Sequence, residues 1–445
     1  MLNENIAAIS TALSASGVAV IRISGDSPLS IAQKMFTPVG KTGVADFEPY
    51  KMYVGEIHAD GFNDFGMCVY FKAPKSFTGE DIVEFHSHGG IAITKGILKK
   101  IISLGARLAT NGEFTKRAFM NGKLSLSSAE GLIDMINSES ESGVKAGYYL
   151  YREKLTNEIN ALQDMITDVL SQVDADMDFP EEDLEQTSTL AVQETLTEVI
   201  ERIESLLKTY RLGRTLKNGV SVGICGKPNT GKSSLLNALL DYDKAIVSDV
   251  AGTTRDIVEG AIEINGVRFN FSDTAGIRES GDKVEELGVV LSKKVVDQSD
   301  LILLVLDGSN LTEDDEQIYE LVKDKNLLVA VNKTDIVVKK DNRADIYVSA
   351  LKKDNLDNLK KLIYDKTVGI GLDLNGDFLC EERHFNALVR AKEKLVCALN
   401  GIGQVPLDIL AIDVKDGWDA LGEISGRTAT EDIINNIFSK FCVGK

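Results

Sequence analysis

The sequence predicts a multidomain α/β-plus-α protein: an N-terminal α+β domain, a discontinuous helical domain, and a doubly wound P-loop domain inserted between the two helical segments. Three observations predict it. Residues 220–240 run apolar, glycine-rich, then apolar again, which reads as strand, phosphate loop and helix. Long helical periodicity flanks that stretch, at 125–215 on one side and at 381–399 and 430–441 on the other. Short strand-like runs broken by turn residues fill the first 120 residues. Boundaries are therefore expected at 1–120, 121–215, 216–372 and 373–445.

Composition bounds the function. A hydrophobic content of 43% and a charged content of 26% are ordinary for a globular chain. The 49 Lys+Arg against 68 Asp+Glu leave a net charge of -19, which excludes a general nucleic-acid binder, DNA included. Action on RNA would need a local patch or a basic partner. The five cysteines are scattered, with no C-x-x-C pair, which argues for a reducing compartment and against a disulfide framework. The first residues lack a charged n-region, and the apolar run after them is broken by Ser10, Thr11, Ser14, Ser16 and Arg22. No signal peptide or membrane span is expected, and the chain is read as cytoplasmic.

In chain order, residues 17–25 read as a buried strand, and Asp26 as the cap of a helix reaching about Phe36. Strands follow at 51–58, 67–72 and 82–86, and a helix at 92–104. The stretches 76–90 and 111–123 are dense in polar and turn residues and read as plain polar loops. His86 and His88 alternate on one strand face, but no third ligand stands at a metal-site spacing. Ser127-Ser-Ala-Glu130 reads as a capping box, followed by a stripe of Leu132, Ile133, Met135 and Ile136. Helices at 161–173 and 192–207 are separated by the acidic stretch 178–183, which reads as a solvated connection.

The loop Gly226-Lys-Pro-Asn229-Thr230-Gly231-Lys232-Ser233-Ser234 has the spacing of a Walker A motif. Backbone N–H groups and a helix N-terminus would wrap phosphate, Lys232 would reach the β- and γ-phosphates, and Ser233 would hold Mg²⁺. Further motifs follow in the order a GTPase requires. Ser248-Asp249-Val250-Ala251 leads into Gly252-Thr253-Thr254-Arg255-Asp256, the switch I segment, where Thr254 would complete the Mg²⁺ shell. Asp273-Thr274-Ala275-Gly276 would meet the metal through water and the γ-phosphate through the Gly276 N–H. Asn332-Lys333-Thr334-Asp335 selects guanine, because the Asp335 carboxylate accepts from N1–H and N2–H₂ and would face a bare ring nitrogen in adenine. Ser349-Ala350-Leu351 completes the base pocket with a backbone N–H near O6. Any one motif is weak; in this order they predict a GTP-binding domain.

The catalytic parts are less standard. The position after D-x-x-G is Ile277 where many GTPases carry a water-orienting Gln, and acidic residues stand beyond it at Glu279, Glu285 and Glu286. No arginine finger is evident, although Arg255 and Arg278 are near. Asn229 either coordinates a monovalent cation that supplies the missing positive charge or only stabilises its loop; the residues alone leave both open. At the far end, Cys442 is fourth from last, but Gly444 and Lys445 do not fit a prenylation signal. An inert tail is the default, against which the apolar Ile433, Ile434, Ile437, Phe438 and Phe441 argue that it is held in place.

Taken with V-A-V-I-R-I-S-G, S-F-T-G-E-D-I-V-E, G-E-F-T-K-R-A-F-M-N-G-K, D-F-P-E-E-D and the final C-V-G-K, these motifs closely resemble the MnmE (TrmE) family of tRNA-modification GTPases over essentially the whole chain. The opening loop, residues 10–16, departs from the Pro- and Gly-rich stretch of relatives. The resemblance implies an N-terminal domain that dimerises and binds 5-formyl- or methylene-tetrahydrofolate through Arg22, Glu84, Lys123 and Lys445, with Cys442 beside the site. It implies K⁺ held by Asn229 and by backbone at Ser248, Val250 and Thr253, Mg²⁺ held by Ser233 and Thr254, and Glu285 as the water-orienting acid. It further implies a homodimer acting with an FAD-containing MnmG (GidA) partner on the wobble uridine of certain tRNAs, the partner carrying much of the tRNA contact.

Two other classes compete. One is a regulatory GTPase switch of the ribosome-assembly kind, in which residues 1–120 dock a protein; it has no need of Arg22, Glu84, Lys123 and the Cys442-Val-Gly-Lys445 tail. The other makes Cys442 a nucleophile in alkyl transfer.

Overall fold

The computed structural model describes residues 4–178, 185–242, 260–273, 293–336, 339–369 and 378–445. The chain divides into two compact units, Met1–Ile133 with Leu150–Ile200 and Ala387–Lys445, and Asp134–Tyr149 with Glu201–Asn386.

The first unit begins with strands β1 (Ile6–Ile9) and β2 (Ser16–Gly25), helix α1 (Pro28–Ala32), strands β3 (Phe36–Pro38), β4 (Met52–Ala59), β5 (Phe62–Phe71) and β6 (Asp81–Gly89), helix α2 (Ile91–Ser103), strand β7 (Arg107–Leu108) and helix α3 (Glu113–Met120). The strands form one sheet ordered β3-β4-β5-β6-β2-β1-β7, antiparallel apart from the β1–β7 pair. Alternation along the strands divides its faces. Ala7, Ile21, Ile23, Val83 and Phe85 share a core with Ile31 of α1 and with Ile97 and Ile101 of α2. The opposite face therefore receives Ala8, Arg22 and Glu84, and the register sets Ala8 and Glu84 on either side of Arg22.

Two expectations fail in this sheet, both for tertiary reasons. The helix expected from Asp26 to Phe36 spans only Pro28–Ala32, because Phe36 pairs with Ile57 in β3 and packs its ring against Phe47 and Phe85. The polar stretch 111–123 is not a plain loop: it carries α3, with Phe114, Thr115 and Ala118 buried. Glu113 anchors its first turn by accepting from the Thr110 N–H at 2.9 Å.

Helices α4 (Leu126–Asn137), α5 (Glu141–Tyr151), α6 (Lys154–Asp178) and α7 (Glu185–Asn218) come next. The capping box placed at Ser127–Glu130 does not form. Helix α4 already starts at Leu126, and Ser125 Oγ takes the Ser128 N–H at 3.1 Å.

The second unit holds β8 (Val220–Cys225), α8 (Lys232–Tyr242), β9 (Gly260–Ile264), β10 (Val267–Asp273), α9 (Lys293–Gln298), β11 (Leu301–Asp307), α10 (Glu313–Val322), β12 (Leu327–Asn332), β13 (Ile346–Tyr347) and α11 (Leu356–Thr367). Its sheet runs β13-β12-β11-β8-β10-β9 and is parallel except for the β9–β10 hairpin. Asn265 (φ 51°) and Gly266 (φ 80°) make the two-residue turn of that hairpin, which needs positive φ at both positions. Every residue of β11 is buried, as a parallel strand covered on both faces requires. From β8 the chain builds one side of the sheet and then crosses to the other. The carboxyl end of β8 is thus a topological switch point, where open α/β sheets bind ligands.

Helices α12 (Glu382–Gly401), α13 (Leu407–Ser425) and α14 (Glu431–Ser439) complete the chain. Within the first unit α6 packs on α13. Each buries residues at alternating spacings of three and four: Leu155, Ile159, Leu162, Ile166, Val169 and Val173 on one, and Leu410, Val414, Gly417, Leu421 and Ile424 on the other. At Gly417 the two helices α12 and α13 approach closely, since a Cβ there would lie 2.8 Å from the Leu395 side chain. Among the described residues no helix is long and apolar enough to cross a membrane.

Candidate functional site

The glycine loop leaves β8 at Gly226 and enters α8 at Lys232. Its path needs glycine at two points. Gly226 has φ 143° and Gly231 φ 90°, and a Cβ would come within 2.3 Å of the Val305 carbonyl at the first and 2.4 Å of Asn332 Nδ2 at the second. Asn229 between them is also left-handed, with φ 64°. Lys232 Nζ donates to the carbonyls of Gly226 at 2.8 Å and Lys227 at 3.0 Å, and Thr230 Oγ1 donates to the same Lys227 carbonyl at 3.1 Å. Ser233 and Ser234 follow in the first turn of α8, whose leading N–H groups have no carbonyl one turn back and carry the positive end of the helix dipole.

Two further loops close on this one. Asn332, buried at the end of β12, donates from Nδ2 to the Thr230 carbonyl at 3.0 Å and accepts the Ala350 N–H on Oδ1 at 3.0 Å. Lys333 Nζ donates to the Asn229 carbonyl and to Asp307 Oδ2, both at 2.7 Å. Ser349 Oγ donates to Asp335 Oδ1 at 2.6 Å, which holds that carboxyl below its ordinary value. Ala350 is buried, whereas Leu351 is 79% exposed. The motif at 226–234 lies about a hundred residues before those at 332–335 and 349–351, yet the three form one hydrogen-bonded group, with the phosphate loop and the base loop joined through Asn332.

In the first unit a different set assembles. Arg22 Nε donates to Glu84 Oε1 at 2.7 Å across the β2–β6 register, and Glu84 Oε2 lies 3.4 Å from His86 Nε2. Burial pushes the Glu84 carboxyl up, but the adjacent His86 ring and the charge and hydrogen bond of Arg22 outweigh it and hold it below its ordinary value. The Arg22 guanidinium lies 5.3 Å from the Phe77 ring centroid and 5.7 Å from that of Phe114. Lys123 Nζ donates to the Pro74 carbonyl at 3.0 Å. The tail docks against the same domain: Val443 bridges Asn111, and the Gly112 N–H donates to the Cys442 carbonyl at 3.4 Å. Gly444 (φ 102°) sits so close to β1 that a Cβ would meet the Ile9 carbonyl at 2.1 Å. Lys445 is half-buried and Cys442 exposed. The two histidines take different carboxylates, His88 Nδ1 lying 2.7 Å from Asp64 Oδ1.

With both sites described, the comparisons become informative. Residues 126–442 match the MnmE helical domain, and residues 5–123 match the GTP-binding protein TrmE N-terminus. The tRNA modification GTPase MnmE of Desulforamulus reducens is 38% identical over 100% of both chains. The proteins of the same name from Lactobacillus helveticus and Caldicellulosiruptor saccharolyticus are 38% and 37% identical over 99% of this chain, covering 98% and 99% of their own. The chain belongs to the tRNA modification GTPase MnmE family. Its enzyme class, GTP hydrolase, is that of the family.

For a member of the MnmE family, part of the expected machinery lies outside the described residues: Ser248, Asp249, Val250, Ala251, Gly252, Thr253, Thr254, Arg255, Thr274, Ala275, Gly276 and Glu285, together with the stretch 179–183 of the acidic connection. Asp273 ends β10. Around Arg22 the sequence reading missed Phe77, Phe114 and His86 as neighbours, and Glu80 and Arg117 as braces. Arg117 is buried and donates to Glu80 Oε2 at 3.0 Å and Glu113 Oε1 at 3.2 Å, while Ser24 Oγ donates to Glu80 Oε2 at 2.7 Å. The available signal was an aromatic residue set among polar and turn residues, Phe77 in one stretch and Phe114 in the other.

Proposed function

We propose that this MnmE-family chain is a potassium-stimulated GTPase that works in the cytoplasm as a homodimer with an FAD-containing MnmG-type partner. Together they add an aminomethyl or carboxymethylaminomethyl group at C5 of the wobble uridine, U34, of certain tRNAs, using a one-carbon unit from 5-formyl- or methylene-tetrahydrofolate. The observation that carries the reading is the pair of hydrogen bonds made by the Asn332 side chain, which ties the phosphate loop to the base loop in one site.

The residues present fit the groups this reading needs. Gly226, Asn229 and Gly231 give the backbone curvature that turns N–H groups toward phosphate, and the α8 N-terminus favours negative charge. Lys232 would exchange the Gly226 and Lys227 carbonyls for β- and γ-phosphate oxygens. Asp335, oriented by Ser349, would accept from guanine, with a backbone N–H of residues 349–351 at O6. Ser233 and Thr254 would hold Mg²⁺, which neutralises phosphate charge. Asn229, with backbone at Ser248, Val250 and Thr253, would hold K⁺, which supplies the positive charge of an arginine finger, with Arg255 near. Glu285 would orient the attacking water. Arg22 and Glu84 offer a planar donor fork and an acceptor between two aromatic rings, a surface suited to a flat polar heterocycle such as the pterin of folate. Lys123 and Lys445 would add charge for the folate carboxylates, and the docked tail would bring Cys442 beside them.

The test is the GTPase rate in KCl against NaCl at matched ionic strength, for wild type, Asn229→Ala and Glu285→Ala. A large potassium-specific rise, absent in both variants, is expected; a rate indifferent to the cation would overturn the potassium mechanism. Calorimetric titration with 5-formyl-tetrahydrofolate should show binding that Arg22→Met removes. No binding to the wild type would favour the regulatory-switch class.

A further inference from the structure

We infer that Lys227 is a positioning residue for nucleotide binding: its buried ammonium ties the phosphate loop to the first turn of α10. The inference rests on the nucleotide reading above. A phosphate loop works through main-chain N–H groups, so its second position makes no chemical demand on the side chain there. Yet the Lys227 side chain is only 11% exposed, and its ammonium is fully engaged. Nζ donates to Asp315 Oδ2 at 2.8 Å, to Thr312 Oγ1 at 3.1 Å and to the Asn310 carbonyl, which uses all three of its N–H bonds.

Asp315 is fully buried and is the capping-box residue of α10, taking the Thr312 N–H at 2.9 Å. Its other oxygen, Oδ1, has no hydrogen-bond partner among the described residues; the Lys227 ammonium is the cation bonded to this carboxylate, and Arg343 acts on it only through charge. The main chain of Lys227 bonds a different set of groups. Its carbonyl accepts from Lys232 Nζ and from Thr230 Oγ1, so the side chain grips α10 while the backbone grips two residues of the phosphate loop. A buried ion pair is weak evidence for stability, because an apolar pair of similar size often does as well. What this pair supplies is a fixed position for the loop.

The test uses the full chain with two variants. Lys227→Met strands a buried carboxylate and tests folding and positioning together. Lys227→Met/Asp315→Asn removes both charges yet keeps an acceptor for the Thr312 N–H, so it separates them. Melting is followed by circular dichroism, affinity with a fluorescent GDP analogue, and turnover by phosphate release. The double variant should melt within a few degrees of wild type while its Kd for the analogue rises about tenfold, with kcat changed less than about threefold. Wild-type affinity in a double variant of native stability would overturn the inference and leave Lys227 a packing residue. Failure of the wild type itself to bind guanine nucleotide would overturn the nucleotide reading and this inference with it.

Discussion

The phosphate loop at the end of β8 and the Arg22–Glu84 face of the N-terminal sheet both gather polar groups beside strands, but from different materials. The first is main chain: two glycines and a left-handed asparagine within six residues, pinned by the Asn332 side chain at the end of β12, which the Ala350 N–H holds in turn. The second is side chain: an arginine and a glutamate 62 positions apart, one phenylalanine from a loop and one from α3, and a tail docked by a bridge to Asn111. A main-chain site fails when one residue gains a Cβ. A side-chain site fails when its bracing charges lose their partners.

That contrast can be broken at either end. The largest effect is expected from Arg117→Met, which leaves Glu80 and Glu113 without their shared buried cation and should cost about 3–5 kcal/mol in denaturant unfolding of the first unit. Nucleotide affinity should be unchanged; a parallel loss would show that the two sites are not independent. Gly226→Val forces a branched Cβ against the Val305 carbonyl and should weaken GDP binding by about a hundredfold or more (about 2.7 kcal/mol) while sparing folate binding. Gly444→Ala should lift the tail from Ile9 and weaken 5-formyl-tetrahydrofolate binding by about tenfold in calorimetry, with GTPase rate unaffected. An unaltered affinity would remove the tail from the site.

The smallest effect is a pH dependence at the side-chain site. Burial pushes Glu113 up, but Arg107, the Thr110 N–H and Arg117 outweigh it and pull the carboxyl from 4.5 down to about 2. The native state therefore binds the proton more weakly than the unfolded chain does. Stability from this group is fully present above about 4.5 and is lost as pH falls toward about 2. Chemical unfolding of the first unit should show an acid slope across that window that Glu113→Gln reduces.

The same contrast explains what could be read in advance. Gly226, Gly231 and Lys232 were legible because main-chain curvature imposes residue types at fixed spacing, and Asn332 and Asp335 because one short motif carries both roles. Strand β11 went unread, since a fully buried strand is a plain apolar run that periodicity alone does not tell from a buried helix segment. Nothing local announces that Arg22 faces Glu84; that depends on which strands pair and in what register. Helix α3 was read as loop because its anchors, Arg107 and Glu80, lie outside it. Helix α13 escaped notice because Gly417 and the surrounding aspartates mask a spacing of apolar residues that is regular once the helix is packed.

The docking of the tail also sets a time. Asn111 reaches Ser439 across 328 positions of chain, and Lys116 reaches Asn435 across 319. At about 5–20 residues per second, a ribosome needs roughly 15 s to 1 min to cover that distance. Through that interval the N-terminal sheet has emerged without the segment that seats against Ile9, while the phosphate loop and the strands that flank it follow one another within a much shorter stretch of synthesis. The residues of the nucleotide pocket are therefore all made before the segment that docks against Ile9, Asn111 and Lys116.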